Sequence, residues 1–157
     1  MTTKDKYRFN RCRRRVLALP TLAAVPYIAH GKRSVDPRAV ASMLLMGFLG
    51  KDDKSPSAVM LARDIDALGV GGACFLGHNT KSRAGIEGLC RLFNTAGKHQ
   101  AAFIAVDQEG GAVQRLNKKF GYQAFPRASV LAKNKSPEEA KAVYRQLADE
   151  LKRTGFN

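Results

Sequence analysis

Asp107 and Arg115 lie at two ends of the run Val106-Asp107-Gln108-Glu109-Gly110-Gly111-Ala112-Val113-Gln114-Arg115-Leu116, and their types suit them to hold a polyhydroxylated ligand. An ionised carboxylate accepts hydrogen bonds from two neighbouring hydroxyls, while a guanidinium offers a rigid fork of donors. Gly110-Gly111 can take backbone angles that other residues resist, so the chain between them can turn sharply and bring Arg115 back towards Asp107. Spacing alone leaves a second account open. In it Asp107 and Glu109 are loop acids, Gly-Gly is a hairpin-like turn, and Arg115 is a solvated surface residue.

Other chemistry has weaker support. Asp107 and Glu109 are a poor catalytic pair, because residues two apart in an extended segment point the same way and cannot flank a substrate from opposite sides. The three histidines, His30, His78 and His99, are scattered, and no pattern of second carboxylates supports a metal site. Lys98-His99 reads as surface structure between a helix and a strand. Gly69-Val70-Gly71-Gly72 precedes a strand instead of opening a helix, so it lacks the context of a phosphate loop. Cys12, Cys74 and Cys90 have no metal-type or disulfide-type spacing. No cofactor is expected.

These residues need a scaffold, and the apolar pattern describes one. Ala39–Phe48 predicts a short helix turning into a first buried strand near Leu44–Phe48. Ser57–Leu68 predicts a helix with Val59, Met60, Ala62, Ile65 and Leu68 on its inner face and Gly69 as its C-cap. Val70–Leu76 follows as a strand buried on both faces. Arg83–Ala96 predicts a helix carrying Ile86, Leu89, Cys90 and Phe93 at helical spacing, closed by Gly97. Ala101–Val106 is the next buried strand, and it delivers Asp107 at its carboxyl end, where active-site groups collect in parallel α/β proteins. Ser136-Pro137-Glu138-Glu139 offers an N-cap, a proline at the first helical position and a capping-box glutamate. That last helix carries Ala140, Val143, Tyr144, Leu147 and Leu151 along one side, with Gly155 as its cap. Strands alternating with helices predict an α/β fold with a parallel sheet.

Charge divides the chain. The 157 residues carry a formal net charge of +14. Residues 1–38 hold ten Lys/Arg against two Asp, whereas 39–157 hold seventeen Lys/Arg against eleven Asp/Glu. The excess therefore sits mainly in the leader, and the rest has no basic stripe and no aromatic stacking platform of the kind that nucleic-acid binding uses. In the leader, a basic stretch from Lys4 to Arg15 precedes an uncharged run from Val16 to Ala29, ending near Ala29-His30-Gly31. That order predicts a signal peptide cleaved near residue 31, hence an exported or periplasmic protein, or a cytoplasmic one if the leader is only a basic tail. Pro20 and Pro26 interrupt the short apolar run, so no stable membrane anchor is expected. Residues 39–157 are expected to form a single domain.

The nine residues from Asp107 to Arg115 resemble the Asp-Gln-Glu-Gly-Gly-x-Val-Gln-Arg signature of glycoside hydrolase family 3, of the β-N-acetylhexosaminidase kind. Flanking segments resemble the family in order and spacing: Met43–Phe48 its first strand, Gly69–Gly72 through Phe75–Asn79 its second, Phe125-Pro126 a substrate-side loop, and Thr154-Gly155-Phe156-Asn157 the end of the helix before its next strand. Ala112 departs from the arginine usual after Gly-Gly, and His78 from an arginine common there. The resemblance implies an incomplete (β/α)8 TIM barrel, about its first three βα units plus the helix leading to a fourth strand.

By the same resemblance Asp107 and Arg115 bind a terminal N-acetylhexosamine, as in carbohydrate metabolism or on peptidoglycan fragments. The family's nucleophilic aspartate, its Asp-x-His acid/base pair and its Lys-His-Phe-Pro-Gly-His-Gly loop do not occur within these residues. The implied function is therefore glycosidase substrate binding in a chain that, alone, is expected to be an inactive fragment. A small non-catalytic α/β sugar-binding domain is the alternative. Three or four parallel strands without barrel closure leave an open apolar edge, which predicts self-association.

Overall fold

In the computed structural model, which describes residues 34–97 and 100–157, the chain from Ser34 onward forms one compact unit. The predicted signal peptide and Lys98-His99 lie outside the described residues. Helix α1 (Pro37–Ala41) starts where the Asp36 side chain accepts from the Arg38 N–H and Pro37 sets the first turn. Strand β1 (Leu45–Gly47), helix α2 (Pro56–Leu68), strand β2 (Gly72–Phe75), helix α3 (Arg83–Ala96) and strand β3 (Phe103–Val106) follow in alternation. The three strands form one parallel sheet in the order β1-β2-β3, with Leu45 opposite Gly72 and Gly72 opposite Phe103. Gly72 has to be glycine, since a Cβ there would run into the backbone of Phe103. A short antiparallel pair, β4 (Gln108–Gly110) and β5 (Val113–Gln114), leads through a 3-10 turn at Lys118–Phe120 to helices α4 (Ala128–Asn134) and α5 (Pro137–Thr154).

The core lies where α2 and α3 cover the sheet. Ile65, Phe75, Ile86, Leu89, Phe93, Ile104 and Leu116 are buried. Phe48, Phe75, Phe93 and Phe156 meet edge to face at centroid distances of 5.0–6.1 Å, a geometry that adds to plain burial of the rings. Helix α3 has the predicted bounds and buries all four predicted positions, Ile86, Leu89, Cys90 and Phe93. The capping box of α5 is made as expected, with Ser136 accepting from the Glu139 N–H and Glu139 accepting from the Ser136 N–H.

Four expectations need correction. β3 is not buried throughout, since Phe103 at its start is 63% exposed. β1 is not buried: Leu45, Met46 and Gly47 are exposed, because β1 is the sheet's edge and no other described strand pairs on its far side. The inner face of α2 is Ala58, Leu61, Ala62 and Ile65, while Met60 and Leu68 are exposed. Ala58, Leu61, Ala62 and Ile65 stand at i, i+3, i+4 and i+7, a single helical stripe that keeps Ala62 and Ile65 from the expected set and leaves Met60 off it. Gly97 closes α3 without a left-handed turn, at φ −75°, whereas Gly69 and Gly155 take the left-handed C-cap conformation expected of them.

Candidate functional site at the carboxyl end of the sheet

Asp107 is the first residue past β3, and the hairpin that follows decides what stands beside it. Gly110 and Gly111 both take positive φ, +82° and +63°. A Cβ on Gly110 would collide with the backbone of Phe125 and Pro126, so only glycine lets the turn tuck under that segment. The Gly111 N–H donates to the Phe125 carbonyl at 2.8 Å, locking the turn there. The hairpin then returns the chain, and an Arg115 Nη2 lies 3.8 Å from Asp107 Oδ2. The Gly-Gly segment is therefore a hairpin turn, as the plainer account held, but Arg115 does not stray over the surface.

At 3.8 Å the pair attract without a direct hydrogen bond, which needs a closer approach. Their side chains are 51% and 33% exposed, so both remain partly open to solvent. Arg115 Nε is buried and has no hydrogen-bond partner among the described residues. A buried donor of this kind is costly unless a ligand or water completes it. Gly77, in the loop after β2, has no side chain to obstruct the guanidinium, whose Nη1 would stand 3.4 Å from a Cβ placed there. The ends of β2 and β3 thus share one site. Cys74 on β2 lies close enough to feel it: burial, and then the negative charge of Asp107, push its thiol above the ordinary range.

Beside this pair, amide side chains of the quoted motifs, given no role by the sequence, hold the rim. Asn79 is fully buried; its Oδ1 accepts from the Leu76 N–H at 2.8 Å, and its Nδ2 donates to the carbonyls of Phe48 at 3.0 Å and Gly50 at 2.8 Å. It fastens the exit of β1 to the exit of β2. His78 Nε2 lies 2.8 Å from the Phe48 carbonyl, so this imidazole braces the same exit. Gln114, also buried, donates to the carbonyls of Leu116 and Gln123 and accepts from the Phe125 N–H. Phe125 is buried and serves this clamp, while Pro126 is exposed. Buried side-chain amides bonded to backbone leave no periodic mark in a sequence, which is why pattern reading passes over them.

A separate groove of about 590 Å³ runs between β3 and α5, lined by apolar Ile104, Val106, Leu151 and Phe156 with Lys152 and Asn157. No acid or base pair converges in it, so its size does not make it the chemical site. Among the described residues, no three His, Cys, Asp or Glu side chains gather as a metal would require, and no helix is long and apolar enough to cross a membrane.

The family model "Glycosyl hydrolase family 3 N terminal domain" matches residues 41–157. Among solved structures, a glycoside hydrolase family 3 β-N-acetylglucosaminidase from Paenibacillus sp. str. FPU-7 superposes with a TM-score of 0.63 at 24% identity, over 79% of this chain and 23% of that one. A fungal multi-domain family 3 β-N-acetylglucosaminidase with a GCN5-related glucosamine N-acetyltransferase region gives a TM-score of 0.63 at 25% identity, over 78% of this chain and 14% of that one. This chain thus spans less than a quarter of either relative. No curated protein sequence matches it.

Proposed function

Since the chain belongs to glycosyl hydrolase family 3, we propose that it carries the part of a β-N-acetylhexosaminidase that grips the terminal amino sugar. Asp107 accepts from the sugar's hydroxyls and Arg115 donates to its oxygens. The observation that carries this is the return of Arg115 to 3.8 Å from Asp107, with an unpartnered buried Nε beside it. In the same reading β1, β2 and β3 are the first three strands of a (β/α)8 barrel, the leader is an export signal, and copies associate through the open sheet edge.

Hydrolysis needs more than this grip. A retaining glycosidase sets a nucleophile and an acid/base group about 5–5.5 Å apart across the scissile bond. Asp107 and Glu109 follow one another along one segment instead, so the 157-residue chain binds without cleaving. Titration of the purified chain with N-acetylglucosamine tests the grip. Hydrogen bonds to charged groups contribute about 1.5–3 kcal/mol, so Asp107→Ala and Arg115→Ala should each weaken saturable binding by about tenfold or more. Binding that is absent from the folded native chain, or unchanged in both variants, refutes the assignment. Turnover of an aryl β-N-acetylglucosaminide should be nil; turnover that survives purification and vanishes in Asp107→Ala refutes the second half.

A further inference from the structure

The residues next to Asp107 and Arg115 in the chain are themselves joined. Gln108 immediately follows Asp107, and Leu116 immediately follows Arg115. The Gln108 side-chain amide meets the backbone of Leu116 at both of its polar groups: Nε2 donates to the Leu116 carbonyl at 3.1 Å, and Oε1 accepts from the Leu116 N–H at 3.1 Å. This reciprocal pair imitates a rung of a β-ladder at a point where the ladder itself has ended, since the backbone pairing of β4 with β5 runs only from Gln108 opposite Gln114 to Gly110 opposite Val113.

The consequence follows from chain geometry. Each member of the pair is one peptide unit from an end of this amide clamp, and peptide units are rigid. Leu116 is itself fully buried, so the clamp is fixed to the core as well as to the strand. Its carbonyl also accepts from Gln114 Nε2 at 2.8 Å, which leaves that end little freedom to drift.

The geometry points to Gln108 as a positioning residue: its amide sets the separation of Asp107 and Arg115 and keeps the Arg115 Nε buried. An apolar side chain of similar bulk loses both bonds, and Arg115 is then free to swing into solvent. The inference rests on the reading of Asp107 and Arg115 as sugar-holding groups only for its purpose. The geometric claim stands on the hydrogen bonds alone.

The test is hydrogen exchange at the Arg115 Nε–H in isotope-labelled chain, its NMR signal identified by its loss in Arg115→Lys. Gln108→Leu removes both bonds; Gln108→Glu keeps the acceptor and loses the donor. In each variant the Arg115 Nε–H should exchange about tenfold faster or more than in the native chain, while backbone amides of α3 and β2 keep their protection. N-acetylglucosamine affinity should fall in parallel. Exchange within about twofold of native in a folded variant overturns the inference. So does loss of the fold in both variants, because Gln108 would then be holding the core and not the pair. If Gln108→Leu alone unfolds, Gln108→Glu decides. A native chain that takes no sugar defeats the proposed function, while the exchange comparison still decides the role of Gln108.

Discussion

Cys74 provides a reporter for Asp107 at the scale of single residues. Its thiol is raised first by burial and then by the Asp107 charge, and only the thiolate reacts with alkylating reagents. Removing the charge in Asp107→Asn lowers the thiol's pKa towards its ordinary value while burial still holds it up. The thiolate fraction at pH 8 therefore rises. Iodoacetamide labelling of Cys74, followed by peptide mass spectrometry, should quicken by roughly twofold or more in Asp107→Asn. Cys90 is the internal control, since burial in the core pushes its thiol up to about 12 and its rate should not change. Equal Cys74 rates in the two proteins would mean that the carboxylate does not stand beside β2, and the shared rim would be lost with it.

At the scale of elements, the rim depends on Asn79 as much as on the strands. This side chain is buried with its oxygen and both nitrogen-borne bonds satisfied across the exits of β1 and β2. Asn79→Ala leaves two carbonyls and an N–H without those partners, at about 1–3 kcal/mol for the buried groups stranded. Denaturant unfolding should show a midpoint lowered by that free energy divided by the slope, with the slope itself unchanged; a midpoint equal to native would show that water replaces the amide freely. Asn79 closes the Phe75–Asn79 segment that resembles the family, but no repeat announces its role, and the contrast with α3 explains why. In α3 the apolar period of Ile86, Leu89, Cys90 and Phe93 is a repeated local signal, so its bounds and buried face are both legible. Asp107, Gly110-Gly111 and Arg115 are legible because their types are unusual at their places. The amides of Gln108, Gln114 and Asn79 act through two or three bonds each to backbone that the folded chain brings up, and α4 has one buried residue, Leu131, and no side-chain cap bond to announce it. The face of α2 is legible by the same period, since Ala58, Leu61, Ala62 and Ile65 keep i, i+3, i+4, i+7 spacing, and the large apolar Met60 draws attention away from it.

For the molecule as a whole, the two edges of the sheet are not alike. On β3, the Asn157 side chain already bonds the Ile104 N–H at 2.9 Å and the Ala102 carbonyl at 2.9 Å, and its backbone N–H meets the Ile104 carbonyl at 3.4 Å. These contacts cover that edge in the manner of a neighbouring strand. On β1 no such cover exists among the described residues, and the exposed side chains are large and apolar: Met43, Leu44, Leu45 and Met46, with Leu45 50% exposed. Leu45 also shares a face with Phe103 across Gly72, and Phe103 is 63% exposed. An apolar edge with unpaired backbone groups is a template for another chain. When the same edge serves both partners, they meet antiparallel across a twofold axis, so the product is a closed dimer and not a filament. Sedimentation velocity on the purified chain should therefore show a sedimentation coefficient that rises with concentration towards the dimer value. Leu45→Lys places a charge on that edge, which a partner strand would have to desolvate, and should leave the monomer at the same concentrations. Phe103→Lys, on the same open face but on β3, should weaken association less. A native chain that sediments as a monomer throughout, with one sharp cooperative unfolding transition, would show that β1 needs no cover.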